Sequence, residues 1–516
     1  MGRTRRQDSR VEGSPHPGNL AVALLDSARR DPDRIAVVSP EGSWDYEALA
    51  GRALGIARLL LDAGVEPGDR VAIFLPRGGD ASAAFFGTLA AGAVAVFVNE
   101  SLKRRQVEHI VGHSGARAML SAAEMLRRVG GLPIANSMLL DVTATDTDLS
   151  VDPVPRIGSD VAQIIYTSGS TGLPKGVTLS HANLWAGMRS VVEYLRISSD
   201  DRIASLLPFS FDYGLNQLLC AVGAGATLIV DRSPIPERII RTLREDRATV
   251  LPAVPPLWLQ LLNVGSFREE PVSSLRIMTN TGGPLPTDAV RMLRRAHPQA
   301  DLFLMYGLTE AFRSAFLDPR EVDRKPDSIG RSIPGAELLV LRQDHTLCEP
   351  GEAGELVHRG PTVAMGYWND PELTASVFRP HPSRPVGTPD TERVVFSGDI
   401  VYQDDEGDLH FVGRRDTLIK TLGYRVSPDE VMDVLYASGE VAEAVVTSEP
   451  DDRRGSRIVA FVVLTDDGRV DRLTTFCATE MPRYMQPARI EVRASLQRTH
   501  SGKYDVATIA GAGHPS

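Results

Sequence analysis

Tyr166 to Gly176 reads YTSGSTGLPKG and directly continues the strand-like apolar run AQIIYTS at 162–168. Three glycines, the four hydroxyls of Thr167, Ser168, Ser170 and Thr171, and Lys175 fall within this stretch. Glycine-rich backbone offers N–H groups, the hydroxyls add donors, and the lysine adds a cation, which together suit a polyphosphate. A Walker A loop needs Gly immediately before Lys, whereas here Pro174 precedes Lys175 and Gly176 follows it, so an ordinary P-loop NTPase is disfavoured. A short GSxG segment alone would be read as a flexible turn. The whole string favours phosphate binding.

Around this loop, strand-like runs alternate with helical patterns: RVAIFLP at 70–76, AVAVFV at 93–98, ATLIV at 226–230 and DLFLMYG at 301–307. Such alternation predicts an α/β fold of layered helices and mainly parallel strands, with functional loops at the strands' carboxyl ends. The apolar stretch Ala81 to Val98 has about the length of a membrane span. Gly87 and Gly92 interrupt it and its second half is β-branched, so a buried helix followed by a buried strand is expected. A second pattern begins after the turn-rich QDDEGD, near Gly413 to Asp416. There SPDEVMDVLYASG reads as a helix, and VAEAVVTSEP and RIVAFVVLTDD read as strands joined by a turn at DDRRG. The expected division is a disordered start at 1–17, a large N-terminal domain at 18–414, a small mobile α+β C-terminal domain at 415–505, and a tail at 506–516.

The 516 residues exceed what one hydrophobic core usually serves, so a cleft between domains is expected. A formal charge of −10, from 56 basic and 66 acidic side chains, disfavours nucleic acid and anionic lipid as partners. Cys220, Cys348 and Cys477 lie far apart without CxxC spacing, which argues against a disulfide framework or zinc site and fits a reducing cytoplasm. The basic start MGRTRRQDSR has no apolar run behind it and is not read as a secretory signal.

With these motifs in view, YTSGSTGLPKG resembles the phosphate loop of the adenylate-forming superfamily of acyl-CoA synthetases, nonribosomal peptide adenylation enzymes and luciferases. TGGPLP at 281–286, MYGLTE at 305–310, SGDI at 397–400, GRRDTLIKTLGYRVSPDEV at 413–431 and RTHSGK at 498–503 are similar to further superfamily motifs, in the same order. The resemblance spans roughly residues 20 to 505. It implies a large α/β domain with a small mobile lid, an active site at their junction, and two half-reactions. A carboxylate and MgATP give an acyl-adenylate and pyrophosphate; a thiol then displaces AMP.

The resemblance implies roles residue by residue. Thr167, Ser168, Gly169, Ser170, Thr171, Gly172 and Lys175 would hold the β- and γ-phosphates. Glu310, after Thr309, is similar to the magnesium ligand, and a hard carboxylate oxygen suits Mg²⁺ bridging phosphates. Tyr306, beside Gly307, would stack on adenine, with Gly282 and Gly283 admitting the base. Asp399 and Arg414 would reach the ribose, and Asp416 would be the hinge. Lys503 matches the catalytic lysine bridging substrate carboxylate and α-phosphate. One ion pair at about 4 Å in an effective dielectric near 20 is worth about 4 kcal/mol, roughly a thousandfold in rate. Lys420 and Gly423 match the loop lining the thiol tunnel, where a glycine admits a pantetheine arm. The last motif departs from the usual PRTxxGKxxR: here it is QRTHSGKYDV, without the Pro and the trailing Arg, a departure that bears on how this segment docks.

Substrate choice is placed in PFSFDYGLN at 208–216 and in the residues after Glu310. The Phe211-Asp212 pair resembles the one that meets the substrate ammonium in amino-acid-activating members, and a buried carboxylate needs a cationic partner. By the same resemblance Tyr213, Asn216, Thr279, Thr281, Met305 and Arg313 line the pocket. Arg313 either pairs with Asp212 or another carboxylate, or recognises an acidic or polar substrate group. MYGLTEAFRSAFLDP also resembles stand-alone acyl ligases, including exosortase-associated ones. The expectation is a stand-alone ligase that uses ATP and Mg²⁺ to load a small amino acid, or another small carboxylic acid, onto the phosphopantetheine of a separate acyl or peptidyl carrier protein. The rivals are an acyl-CoA ligase using free CoA, a catalytically silent nucleotide-binding protein, and a phosphotransferase yielding ADP.

Overall fold

The computed structural model describes residues 18–130, 138–142, 145–167, 174–283, 285, 287–382, 387, 392–414, 419–426, 428–451, 455–497 and 506–511. The expected disordered start at 1–17 lies outside this set. The five runs read as strands form Arg70–Phe74, Val94–Phe97, Val161–Thr167, Thr227–Val230 and Asp301–Tyr306. Gly79–Ala90 is the buried helix and Val94–Phe97 the buried strand of the apolar stretch. Among the described residues no helix is long and apolar enough to cross a membrane.

Two large sheets carry the first four hundred residues. In one, Val94–Phe97, Arg70–Phe74, Ala116–Ser121 and Met138–Asp141 run parallel, joined by Val161–Thr167, which then turns back antiparallel into Lys175–Ser180. In the other, Ile35–Ser39, Thr227–Val230, Arg202–Ser205, Val250–Ala253, Ile277–Asn280 and Asp301–Tyr306 are successive parallel neighbours. From Ala315 onward the same sheet continues antiparallel through Ser328–Ser332, Leu409–Arg414, Arg393–Gln403, Gly354–Arg359 and Glu337–Leu341. The sheets are therefore mixed, where the sequence pointed to mainly parallel strands. Residues 337–403 hold one short helix, Pro371–Val377, among their strands, and only tertiary pairing shows the strands' direction.

Helices Tyr46–Asp62 and Gly79–Ala90 pack closely, because a side chain at Gly87 would bring a Cβ within 2.4 Å of the Ala53 carbonyl oxygen. Buried Tyr46 donates its hydroxyl toward Ala226 O (2.7 Å) and Ala221 O (3.0 Å), tying this layer to helix Asp212–Ala224 and the turn that follows it.

A smaller α+β unit follows. Val441–Asp451 and Gly455–Leu464 form an antiparallel hairpin, with the parallel strand Arg489–Val492 on one side and Ile419–Thr421 with Tyr424–Val426 on the other. Val426, Val431, Leu435, Ala460 and Leu473 belong to a core of its own. The expected tail contains the helix Val506–Gly511, whose Ile509 is buried with Val445, Val459, Phe461 and Leu496. The small unit thus runs on to Gly511, since burying one isoleucine on the sheet is enough to fasten this last turn and a half. The rest of the tail, 512–516, lies outside the described residues.

Burial pulls His181, His297 and His358 down from an ordinary 6.5 to about 4. His181 accepts the Leu20 N–H at Nδ1 (3.1 Å), a bond that the neutral ring makes. Between pH 6.5 and 4 the unfolded chain takes up protons that the folded chain refuses. Stability is therefore complete above about 6.5 and is lost as the pH falls toward 4, by up to about 3 kcal/mol per histidine. His297→Phe keeps a ring against Phe267, whose centroid lies 4.4 Å away. Urea unfolding from pH 7 to 4.5 should show a shallower acid loss in this variant, and an unchanged slope would remove His297 from the account.

Candidate active site

A cavity of about 170 Å³ opens where the two large sheets and the small unit meet. Its wall includes Thr167, Thr281, Gly282 and Gly307, at or just beyond the carboxyl ends of Val161–Thr167, Ile277–Asn280 and Asp301–Tyr306. Strand ends of α/β sheets offer such clefts because the connecting loops diverge there. The glycine-rich segment joins two antiparallel strands, with Thr167 facing Lys175 and Tyr166 facing Gly176 across the ladder. Thr167 and Pro174 line the cavity, so both ends of this loop lie at its rim. Ser168, Gly169, Ser170, Thr171 and Gly172 fall outside the described residues.

Thr309 and Glu310 occupy a single 3-10 turn, Thr309–Ala311, and both line the cavity. The Tyr367 hydroxyl donates to Glu310 Oε1 (2.7 Å), and the Ala364 N–H donates to the Glu310 carbonyl (2.8 Å). This fixes the carboxylate from a neighbouring strand, Gly366–Tyr367. Behind the cavity, buried Tyr306 donates its hydroxyl to Asp399 Oδ2 (2.5 Å), and the His358 ring lies 5.9 Å from the tyrosine ring. Arg414 faces Asp399 across the ladder. Gly283 lies against Pro255.

The far end of the cavity holds an ion pair. Asp212 is the first residue of helix Asp212–Ala224, where the positive end of the helix dipole favours a carboxylate. Arg313 Nη1 donates to Asp212 Oδ2 (3.2 Å), and Arg313 Nη2 to the Asp212 carbonyl (3.2 Å). Both side chains are about 95% buried. The guanidinium lies 5.1 Å from the Tyr213 ring centre and 5.5 Å from that of Phe312. Phe312 has φ 51 and ψ −43, and the Arg313 N–H reaches the Ala311 carbonyl (2.5 Å), a three-residue turn with positive φ that is strained for a side-chain-bearing residue. The Phe312 ring is fully buried at Gly187, where an added Cβ would come within 2.3 Å of it. Seating this ring holds the turn and aims Arg313 at Asp212.

The small unit closes the opposite side. Gly423, Tyr424, Glu430 and Tyr484 line the same cavity as Asp212 and Glu310. Gly423 has φ +81, and a Cβ there would stand 2.9 Å from a Val254 methyl, so only glycine fits this approach. Tyr424 stacks on Tyr484 (3.7 Å, 7°) and hydrogen-bonds Asn99, and burial raises its hydroxyl above the ordinary range. Lys420 holds its ammonium 4.5 Å over the Phe411 ring and is not among the lining residues. Asp416 and Lys503 lie outside the described residues.

Three expected lining residues stand one layer back. Asn216 accepts from the Cys220 thiol (3.3 Å), Thr279 bonds the Tyr213 hydroxyl through Oγ1 (2.5 Å), and Met305 Sδ accepts from Tyr194 (3.1 Å). Of the three, Thr279 bonds a wall residue, Tyr213. Phe211, Asp212, Tyr213, Thr281 and Arg313 do reach the cavity. Sequence reading missed Tyr367, and also Asn99, Leu102, Tyr424 and Tyr484 on the seam between the units. Tyr424 lies within the motif at 413–431 beside Gly423, whereas no local motif marks Asn99, Leu102, Tyr367 or Tyr484, which only packing brings to the cavity.

A family model described as "AMP-binding enzyme" matches residues 24–368, and one described as "AMP-binding enzyme C-terminal domain" matches 430–503. The chain belongs to the AMP-binding enzyme family. This family member is an adenylate-forming enzyme. It is 30% identical to L-proline–[L-prolyl-carrier protein] ligase of Pseudomonas fluorescens, over 95% of this chain and 98% of that protein. It is 32% identical to feruloyl-CoA synthase of an Amycolatopsis species, over 92% and 95%. A linear gramicidin synthase polypeptide of Brevibacillus parabrevis is 30% identical over 98% of this chain, which spans only 10% of that protein. Among solved structures, a double mutant of Bacillus subtilis o-succinylbenzoate CoA synthetase bound with its product analogue superposes with a TM-score of 0.83 at 25% identity, covering 95% of this chain and 98% of the other. The same synthetase with its acyl-adenylate intermediate gives 0.68 at 25% identity, covering 96% and 98%.

Removing one member of a buried ion pair costs about 3–5 kcal/mol, because the other charge is left without compensation. Asp212→Leu and Arg313→Leu should each destabilise the AMP-binding enzyme by that amount in urea unfolding, and the double variant by clearly less than their sum. Additive losses would show that the two charges are not coupled.

Proposed function

We propose that the chain activates a small amino acid with ATP in this cavity and transfers it to the phosphopantetheine thiol of a separate carrier protein. The observation that carries the reading is the continuity of the cavity, from Asp212 and Arg313 past Thr309, Glu310 and Thr167 to Gly423, Tyr424 and Tyr484 on the small unit. An acid at one end and a thiol arriving along the seam would meet at its middle.

In the first half-reaction a carboxylate oxygen attacks the α-phosphorus and pyrophosphate leaves. The hairpin loop between Thr167 and Lys175, with Ser168, Gly169, Ser170, Thr171 and Gly172, holds the β- and γ-phosphates. Glu310 lines the cavity, and its hard carboxylate oxygen, oriented by Tyr367, would hold a Mg²⁺ ion. Bound there, the ion would neutralise charge on the phosphate oxygens. Gly307 and Gly282, which line the cavity, would admit the base, with Tyr306 and Gly283 behind them, and Asp399 and Arg414 would serve the ribose. Lys503 neutralises the charge developing between carboxylate and α-phosphate.

In the second half-reaction the thiolate attacks the acyl carbon and AMP leaves. Rotation about Asp416 brings Lys420 and Gly423 to the thiol path in place of Lys503. The better match to the product-analogue complex than to the adenylate complex supports reading the present lobe arrangement as the transfer state. Likeness to the prolyl-carrier ligase along nearly its whole length favours an amino acid and a carrier as acceptor. Likeness to feruloyl-CoA synthase makes free CoA the second reading.

Pyrophosphate release over a panel of amino and simple carboxylic acids, with nucleotides separated by chromatography, should give AMP and no ADP. Lys503→Ala should slow adenylate formation about a thousandfold while the protein remains folded. Gly423→Ala should leave pyrophosphate release within about twofold and cut thioester formation at least about tenfold, because the new methyl opposes the seat at Val254. Mass spectrometry of acylated carrier proteins against acyl-CoA decides the acceptor; turnover with CoA alone would discard the carrier.

A further inference from the structure

The acid end of the cavity is charge-balanced before any substrate enters. Among the described residues the charged side chains lining the cavity are Asp212, Arg313, Glu310 and Glu430. Glu310 is held by Tyr367 on the phosphate-loop side, and Glu430 belongs to the small unit. This leaves Asp212 and Arg313, one charge of each sign, bonded to one another at the closed end. A monocarboxylic amino acid, once its carboxylate is turned toward ATP, brings one ammonium and makes this end net positive. A dicarboxylic acid without an amine makes it net negative. Either leaves one buried charge uncompensated, which is costly. A neutral acyl group preserves the balance but faces a wall of ionic groups with which it makes no bond.

The pair is also built to be shared. Arg313 makes one carboxylate contact, from Nη1 to Asp212 Oδ2, and its other hydrogen bonds go to the backbone carbonyls of Phe312 (2.9 Å) and Asp212 (3.2 Å). Its buried Nε has no hydrogen-bond partner. A guanidinium fork used through a single oxygen has unused capacity for a second carboxylate. The strained turn at Phe312, held by its ring at Gly187, fixes the guanidinium in this place rather than leaving it to find a solvated position.

We infer that the activated acid is an amino acid carrying a second carboxylate, whose ammonium pairs with Asp212 and whose second carboxylate pairs with Arg313. The inference rests on the amino-acid reading above and narrows it. On binding, one internal ion pair becomes two pairs with the substrate, and the closed end stays neutral throughout. Arg313 is the specificity-determining residue.

The test is the kcat/KM for AMP formation by the full chain with aspartate, glutamate and 2-aminoadipate, beside asparagine, glutamine, alanine and proline, and beside succinate and glutarate. One acidic amino acid should exceed its amide and the neutral amino acids by at least about a hundredfold, since the site would otherwise hold an unpaired guanidinium. Arg313→Gln should lower that value at least about a hundredfold and raise alanine or proline at least about tenfold, because a lone ammonium beside Asp212 then no longer meets the charge of the guanidinium. A structural role for Arg313 would lower all acids together. Should Arg313→Gln not fold, the parent enzyme's panel decides alone. Preference for a neutral amino acid, or no response to any acidic one, overturns the inference while sparing the amino-acid reading. Activity with amine-free acids only overturns both.

Discussion

The chain has to reverse direction between Tyr306 and Ala315. Tyr306 ends the last parallel strand of the large sheet, and Ala315 begins the antiparallel part directly beside it, with Tyr306 opposite Ala315 and Met305 opposite Phe316. Ladder bonds hold both ends, so the connection between them has little freedom. It carries Gly307, Thr309, Glu310, Phe312 and Arg313, and it fits only by combining a 3-10 turn with a positive-φ turn at Phe312. Strain of about 1–3 kcal/mol at such a residue persists where its surroundings over-determine it. Here the fully buried Phe312 ring and the Asp212–Arg313 pair do so.

From this reversal the rest of the site follows. Glu310 and Arg313 lie three residues apart, yet one meets Tyr367 and the other meets Asp212. One connection thus serves two ends of the cavity. The bond between Tyr306 and Asp399 joins the parallel half of the sheet to its antiparallel half at the point where the connection starts. Both partners are buried, so neither can relax into water if the other is removed. Burial also keeps His358 neutral beside them at ordinary pH. A neutral ring against Tyr306 adds no cation that would compete for Asp399.

The small unit contributes a backbone approach at Gly423 and, among the described residues, the charged lining side chain of Glu430. Gly423 lies against Val254 and within reach of Gly282, and the Tyr424–Tyr484 stack lies along the seam. The Lys420 ammonium over the Phe411 ring of the large sheet adds a cation–ring contact to the glycine and the stacked rings.

The sequence by itself determined the α/β class, the buried helix and strand at 81–98, the separate C-terminal α+β pattern and the adenylate-forming family, because these rest on local periodicity and on contiguous motifs. It also named Asp212 and Arg313 as candidate partners, since a buried carboxylate and a buried guanidinium each demand one. Only the tertiary structure decided that they meet, that Asn216, Thr279 and Met305 stand behind the wall, and that residues 506–511 belong to the small unit. It alone also brought Asn99, Tyr367, Tyr424 and Tyr484 to the cavity. The physical reason is distance along the chain: Tyr367 reaches Glu310 across 57 residues and Arg313 reaches Asp212 across 101. Periodicity and short motifs report on neighbours in sequence, whereas closure of the sheets decides which remote side chains share a wall.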